Sequence, residues 1–263
     1  MLLTALKGMF VGATMLVPGV SGGSMAMILG EYDNLIISVS SFFKHKKEGI
    51  LYLGTFSVGA IIGMILFANP LLYVIEKYPM PLLYFFLGTV AGGIPLMYKK
   101  AEVQGFSIKS LLYVAIGVGS VLLMTLFPQD GIGLGGEGSN YFIILAAGIL
   151  VAIALVLPGI SVSFMLLIMG IYETVIQAIG SFDIKTLMPL GIGVLLGVVL
   201  TTKFLEMAMK KYPHPTYLMI LGFVLGSVPE LFPGVPSGFE WLICPLSAVV
   251  GYGLIRVLSH YEG

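Results

Sequence analysis

Apolar residues run through this chain in long blocks, and charged residues gather in the short gaps between them. A bilayer-spanning helix needs about 20 residues with almost no charge. Such windows lie at about 50–75, 82–98, 110–127, 187–209 and 215–228, with a further one in the C-terminal segment 231–263. Two other apolar blocks, about 4–43 and 140–180, are interrupted at their centres by helix breakers. The first break is PGVSGGS, Pro18 to Ser24, and the second is PGISVS, Pro158 to Ser163. Proline removes a backbone donor and glycine weakens a helix interior, so each block is predicted to be two half-helices meeting at a break. The predicted fold is an all-α polytopic membrane protein.

The two broken blocks are copies of each other. Adding 140 lays Leu16–Phe42 over Val156–Phe182 without a gap: Pro18 meets Pro158, Ser21 meets Ser161, Gly30 meets Gly170 and Tyr32 meets Tyr172, while Asp33 meets Glu173. At an offset of 134, Gly59 pairs with Gly193, Gly63 with Gly197, Tyr78-Pro79 with Tyr212-Pro213, Gly88 with Gly222 and Pro95 with Pro229. Repeat 1 therefore occupies 1–100 and repeat 2 occupies 140–230. Between them, 101–139 holds the span at about 110–127 and the acidic, glycine-rich loop FPQDGIGLGGEGSN. An extra C-terminal span follows in 231–263.

Lysines set the orientation. Cytoplasmic loops carry the excess of Lys and Arg, so KHKKEG (Lys44, Lys46, Lys47) and KKAEVQGFSIK (Lys99, Lys100, Lys109) are expected inside, with EKYPMP and FPQDGIGLGGEGSN outside. If each broken block crossed the membrane once, Lys210 and Lys211 would fall outside. If each enters, breaks and returns to its own side, those lysines fall inside, as do Arg256 to His260. Only the second reading satisfies every loop. It makes the repeats inverted, each with a re-entrant helical hairpin, and places both termini in the cytoplasm. No cleavage-site pattern follows the first apolar block, so the N-terminus reads as mature protein. Irregular backbone at membrane depth is tolerated only in contact with protein or a polar cavity, and two such tips near the midplane are where transporters place their binding sites.

Composition removes several functions. Hydrophobic residues make up 58% and charged residues 10% of 263, with a formal net charge of zero, so no basic nucleic-acid surface is present. The single cysteine, Cys244, rules out an internal disulfide or a thiolate metal site. His45, His214 and His260 fall in or near inner loops as solvated residues and form no metal set, and no cofactor is expected. A membrane lipid phosphatase needs a histidine in a PSGH segment, where this chain has PSGF at Pro236–Phe239. An enzyme is therefore not expected.

The tips suit an anion. In PGVSGGS the glycines let successive backbone N–H groups converge, as in the nests that hold phosphate or carboxylate. The candidate binding residues are Ser21, Gly22, Gly23, Ser24, Ser161 and Ser163, with Lys203 near the inner mouth. Small residues also permit close helix packing, and Lys203 can equally snorkel to the interface, as can Lys7. Glu31, Asp33 and Glu173 are candidates for coupling a proton or a sodium ion. Asp33 is equally suited to cap the helix that begins NLIISV.

The segment LVPGVSGGSMAMILGEYDNLI, repeated as VLPGISVSFMLLIMGIYETVI, resembles the bacterial polyprenyl-phosphate transporter family, whose members carry a PGVSGGT-like segment followed by an ALILGIYE-like one. Here Ser24 stands where threonine is common, Glu31 where an apolar residue is common, and Asp33 at the usual acid. In the second copy Val162-Ser163 replaces Gly-Gly, a poorer backbone nest. The resemblance implies a flippase in the bacterial cytoplasmic membrane. It would move undecaprenyl phosphate from the outer to the inner leaflet, recycling the lipid carrier of cell-envelope and peptidoglycan synthesis. A polyprenyl tail can remain among the membrane lipids, so only the phosphate needs a path through the hydrocarbon. The alternative is an ion-coupled transporter of a small soluble anion. Whether the site opens to lipid or to water separates the two.

Overall fold

The computed structural model describes residues 1–17, 19–42, 46–103, 105, 107–126 and 141–260. Expectations for Pro18, Lys44, His45 and the loop 127–140 fall outside these residues, as does the side chain of His260. The helices are α1 Leu2–Thr14, α2 Gly22–Ile28, α3 Tyr32–Ser40, α4 Lys46–Lys77, α5 Pro79–Lys100, α6 Ile108–Thr125, α7 Tyr141–Val156, α8 Val162–Ile168, α9 Tyr172–Ser181, α10 Ile184–Lys211, α11 Pro213–Gly226, α12 Val228–Leu231 and α13 Glu240–His260. Among the described residues all regular structure is helical.

Five helices, α4, α5, α6, α10 and α13, are long and apolar enough to cross a membrane. Large apolar side chains such as Ile65, Leu66, Leu195, Leu200 and Val249 point outward and are exposed. That surface is unfavourable in water and suited to lipid. The chain is a multi-pass membrane protein.

Neither α1 nor α7 is long enough to cross. At 1.5 Å per residue their 13 and 16 residues reach about 20 and 24 Å, short of the roughly 30 Å hydrocarbon core. Each ends at the break. Beyond it, Ser21 and Ser161 cap the short helices α2 and α8, and α8 then meets α9 at 115°. Backbone geometry repeats as the sequence does: Gly19 and Gly159 both have φ of +80°, a region that costs little only for glycine.

The long helices associate in four close pairs, α1 with α4, α7 with α10, α5 with α13, and α11 with α6. Glycine makes the approach possible. A Cβ on Gly63 would lie 2.0 Å from the Met9 carbonyl oxygen, and one on Gly193 would lie 2.1 Å from that of Leu145. The same contact joins Gly251 to Phe85 and Gly117 to Met219, at 2.1 and 2.3 Å. Because Gly117 and Gly251 are also 134 apart, the C-terminal helix has a counterpart in α6, and each packs on the other's repeat. The short GxG at Gly117-Gly119 and Gly251-Gly253 is the sequence trace of this match.

The two broken segments are packed unequally. Met25, Met27, Ile28 and Leu29 of the first are almost fully buried and share one core with Leu218, Ile220 and Val224 of α11. In the first segment α2 packs on α5 and α3 on α10, whereas α8 and α9 make no comparable contact with α11 and α4 among the described residues.

Candidate functional site

A cavity of about 460 Å³ lies where the two tips meet. The first tip lines it with Gly19, Val20, Ser21, Gly22 and Gly23, and the second with Gly159, Ile160, Ser161, Val162 and Ser163. The tips touch: a Cβ on Gly23 would fall 3.3 Å from the Cα of Pro158. The Tyr32 hydroxyl ties the repeats together by donating to the Val156 carbonyl at 2.9 Å.

Both tips bring donors to this space. The oxygens of Ser21 and Ser161 accept from the amides of Ser24 and Phe164, at 3.4 and 3.3 Å, and so act as N-caps. Their hydroxyl hydrogens stay free to donate. The amides of Gly22 and Gly23, and of Val162 and Ser163, sit in first helical turns and have no intrahelical acceptor. Much of the remaining lining is apolar, including Met15, Leu35, Ile36, Phe56, Leu155 and Val198. Thr202 and Ser227 also reach the cavity, but their hydroxyls already donate to the carbonyls of Val198 and Val224.

Five of the expected binding residues, Ser21, Gly22, Gly23, Ser161 and Ser163, therefore share one cavity. Ser24 does not line it. Its side chain is buried behind the tip, and its oxygen has no partner among the described residues. Lys203 is exposed and faces away, because its neighbour Thr202 takes the inward position on α10.

The three acids lie elsewhere. Glu31 is buried and paired with buried Lys7 at 3.0 Å, and it also accepts from the Tyr52 hydroxyl. Lys7 is thus an interior counter-charge, neither snorkelling nor at the cavity. Asp33 stands in the first turn of α3, whose N-cap is Glu31 without a side-chain cap bond. Its Oδ2 accepts from Lys100 at 2.8 Å and from the Tyr217 hydroxyl at 2.7 Å, joining α3 to α5 and α11. Glu173 occupies the first turn of α9 and is exposed. On the Asp33 side of the molecule, Ser40 of α3 donates to Glu206 of α10. His214, expected in solvent, is half-buried instead, with Nδ1 2.8 Å from the Ala101 carbonyl and Nε2 3.0 Å from Ser110 Oγ. These two contacts make it a tether between α11, α6 and the end of α5.

Sequence reasoning passed over one cavity residue. Glu230, in α12 and outside the five spanning helices, lines the same space as both tips. Glu230 is exposed overall, and partial desolvation where it meets the cavity pushes its carboxyl above the ordinary range. The available signal was an acid at the position that pairs with Leu96 in the other copy, in a molecule with few acids.

A family model described as VCA0040-like, undecaprenyl phosphate translocase-like, matches residues 11–241. The chain belongs to this family. Within the same range of similarity, a Staphylococcus aureus protein named polyprenyl-phosphate transporter is 32% identical over 267 residues, covering 94% of this chain and 92% of its own length. A Vibrio cholerae protein of the same name is 29% identical over 248 residues, covering 88% of this chain and 77% of its own. No solved structure matches. The matched range takes in both tips, α12 and every cavity-lining residue, so the site belongs to the part of the chain that defines this translocase-like family.

Proposed function

We propose that the chain transports polyprenyl phosphate, and undecaprenyl phosphate in particular, from the outer to the inner leaflet of the bacterial cytoplasmic membrane. The phosphate sits between the two tips and the prenyl tail stays in lipid. The observation that carries this reading is the mixed lining of one cavity, amides and hydroxyls of both tips together with many apolar side chains. An amphiphile fits such a space. A small soluble anion has no use for the apolar side chains. Hydrogen bonds from amides and hydroxyls hold an anion without a full counter-charge, which favours release as well as binding.

In this reading the hairpins are re-entrant and inverted, and the lysine-rich ends face the cytoplasm. The first hairpin then closes the inner side through Asp33, Lys100, Tyr217, Ser40 and Glu206, while the loosely packed second hairpin leaves the outer side ready to load. Glu31, held by Lys7 and Tyr52, acts as part of the hinge of the first hairpin, and Glu173 takes the place of Asp33 when the outer side closes.

Binding to purified protein tests the reading. Undecaprenyl phosphate should bind, undecaprenol should bind far more weakly, and inorganic phosphate in millimolar excess should not compete. Equal competition by inorganic phosphate would transfer the site to a soluble anion.

A further inference from the structure

We propose that Glu230 is the proton-carrying group of the headgroup cavity: neutral, it donates a hydrogen bond to the bound phosphate, and ionised, it expels it. This rests on the phosphate-lipid reading above and adds the rule by which loading and release are governed.

The argument begins with charge. Among the lining residues there is no lysine or arginine, and Glu230 is the one carboxylate. A phosphate placed between the tips would share this mostly apolar lining with Glu230, itself an exposed residue, and with no cation. Two like charges a few ångströms apart in such surroundings repel strongly, and the pair lowers its energy by keeping a proton. The phosphate itself titrates near neutrality, with a second pKa of about 6, so the proton belongs to the pair. A protonated carboxyl also changes role from acceptor to donor. It then joins the amides of Gly22 and Gly23 and the hydroxyls of Ser21 and Ser163 on the phosphate.

Position supports the assignment. A Cβ on Gly19 would lie 3.2 Å from the Glu230 carbonyl oxygen, so α12 is seated directly on the first tip. The segment that follows is pinned to α5, where the Tyr84 hydroxyl donates to the Gly234 carbonyl at 3.0 Å and its ring meets Phe232. Glu230 is therefore held at the cavity by backbone on both sides.

No neighbouring group competes for the role among the described residues. Helix α12 packs on α5 and α11. On α5, the Tyr84 hydroxyl donates its hydrogen bond to the Gly234 carbonyl, and Lys100 lies at the far end on Asp33. On α11, Tyr217 is bound to Asp33 and His214 to Ala101 and Ser110. Within the cavity, the Tyr32 hydroxyl is committed to Val156. Glu230 is the lining group free to gain or lose a proton.

The test uses the full chain in nanodiscs, with undecaprenyl phosphate as the probe, from about pH 5 to pH 9. Above the pKa of Glu230 in the empty cavity, wild-type affinity should fall by up to about tenfold per pH unit. Glu230→Gln keeps the donor and cannot ionise, so it should hold the wild-type low-pH affinity and lose that fall. Ionisation of the free lipid is common to both proteins and cancels in the comparison, so the difference reports the proton held by the pair of Glu230 and phosphate. In weakly buffered solution above that pKa, wild type should take up about one more proton per lipid bound than Glu230→Gln. Glu230→Asp should retain pH dependence. A Glu230→Gln protein that melts normally yet shows the wild-type pH profile, or the same proton uptake, overturns the inference and leaves the transport reading standing. Absence of undecaprenyl phosphate binding by wild type at every pH removes both.

Discussion

Ser21 and Ser24 are three residues apart and have opposite surroundings. Ser21 lines the cavity and caps α2, whereas Ser24 is turned into protein with its oxygen unpartnered. Ser21→Ala should weaken undecaprenyl phosphate binding by about 1.5–3 kcal/mol, the usual loss for a hydrogen bond to a charged group. It should also lower stability by about 1 kcal/mol through the lost cap. Ser24→Ala removes a buried hydroxyl that satisfies nothing, so affinity should stay near wild type and the melting temperature should hold or rise. Parallel binding and melting measurements on the two proteins check both statements, and equal losses of affinity would mean that the phosphate lies deeper than the cavity wall. The breaker motif pointed to the tip because proline and glycine act through the backbone, which sequence reports directly. It did not say which serine faces inward. The same gap explains Lys203: one step along α10 rotates the side chain by about 100°, and Thr202 holds the inward place. Glu230 was hidden for a different reason, since only the folded chain brings α12 onto Gly19.

At the scale of helices, the repeated glycines have a packing duty apart from the tips. Gly63 lets α4 touch α1, where an added Cβ would meet the Met9 carbonyl oxygen at 2.0 Å, while Gly54 on the same helix has nothing within 4 Å of its Cβ position. Gly63→Ala should force the pair apart and cost about 1–3 kcal/mol, as overpacking does. Gly54→Ala should be neutral or slightly stabilising, because alanine is the better helix former. Thermal unfolding in detergent separates the two, and a Gly63→Ala protein as stable as wild type would mean that α1 and α4 are further apart than described. These contacts were partly legible, because Gly59 and Gly63 matched Gly193 and Gly197 in register. The pairing of α13 with α5 and of α6 with α11 was not, since two glycines in an apolar run carry too little pattern to reveal a helix packed against a distant repeat.

For the whole molecule, the two matching broken segments are packed unequally. Asp33 reaches Lys100 and Tyr217, residues 67 and 184 positions away, and Ser40 reaches Glu206 on α10. No local pattern encodes such links, so the charge pattern read Asp33 as a cap or a proton site and not as a clasp between repeats. If the first hairpin is the inner gate, transport requires α3 to leave α10. Cysteines at Ser40 and Glu206, with native Cys244 replaced by alanine, allow a short bifunctional thiol reagent to join the two helices. The joined protein should still bind undecaprenyl phosphate presented from the outer side, because the cavity is already formed with these helices in contact. It should fail to deliver the lipid to the inner leaflet of a proteoliposome, and a cleavable reagent should restore delivery once cut. Loss of the Asp33 clasp by Asp33→Asn acts in the opposite sense, loosening α3 and raising the accessibility of a Ser21→Cys thiol from the cytoplasmic side. Full delivery by the joined protein would show that α3 and α10 move together, and the gate would then have to lie in the second hairpin alone.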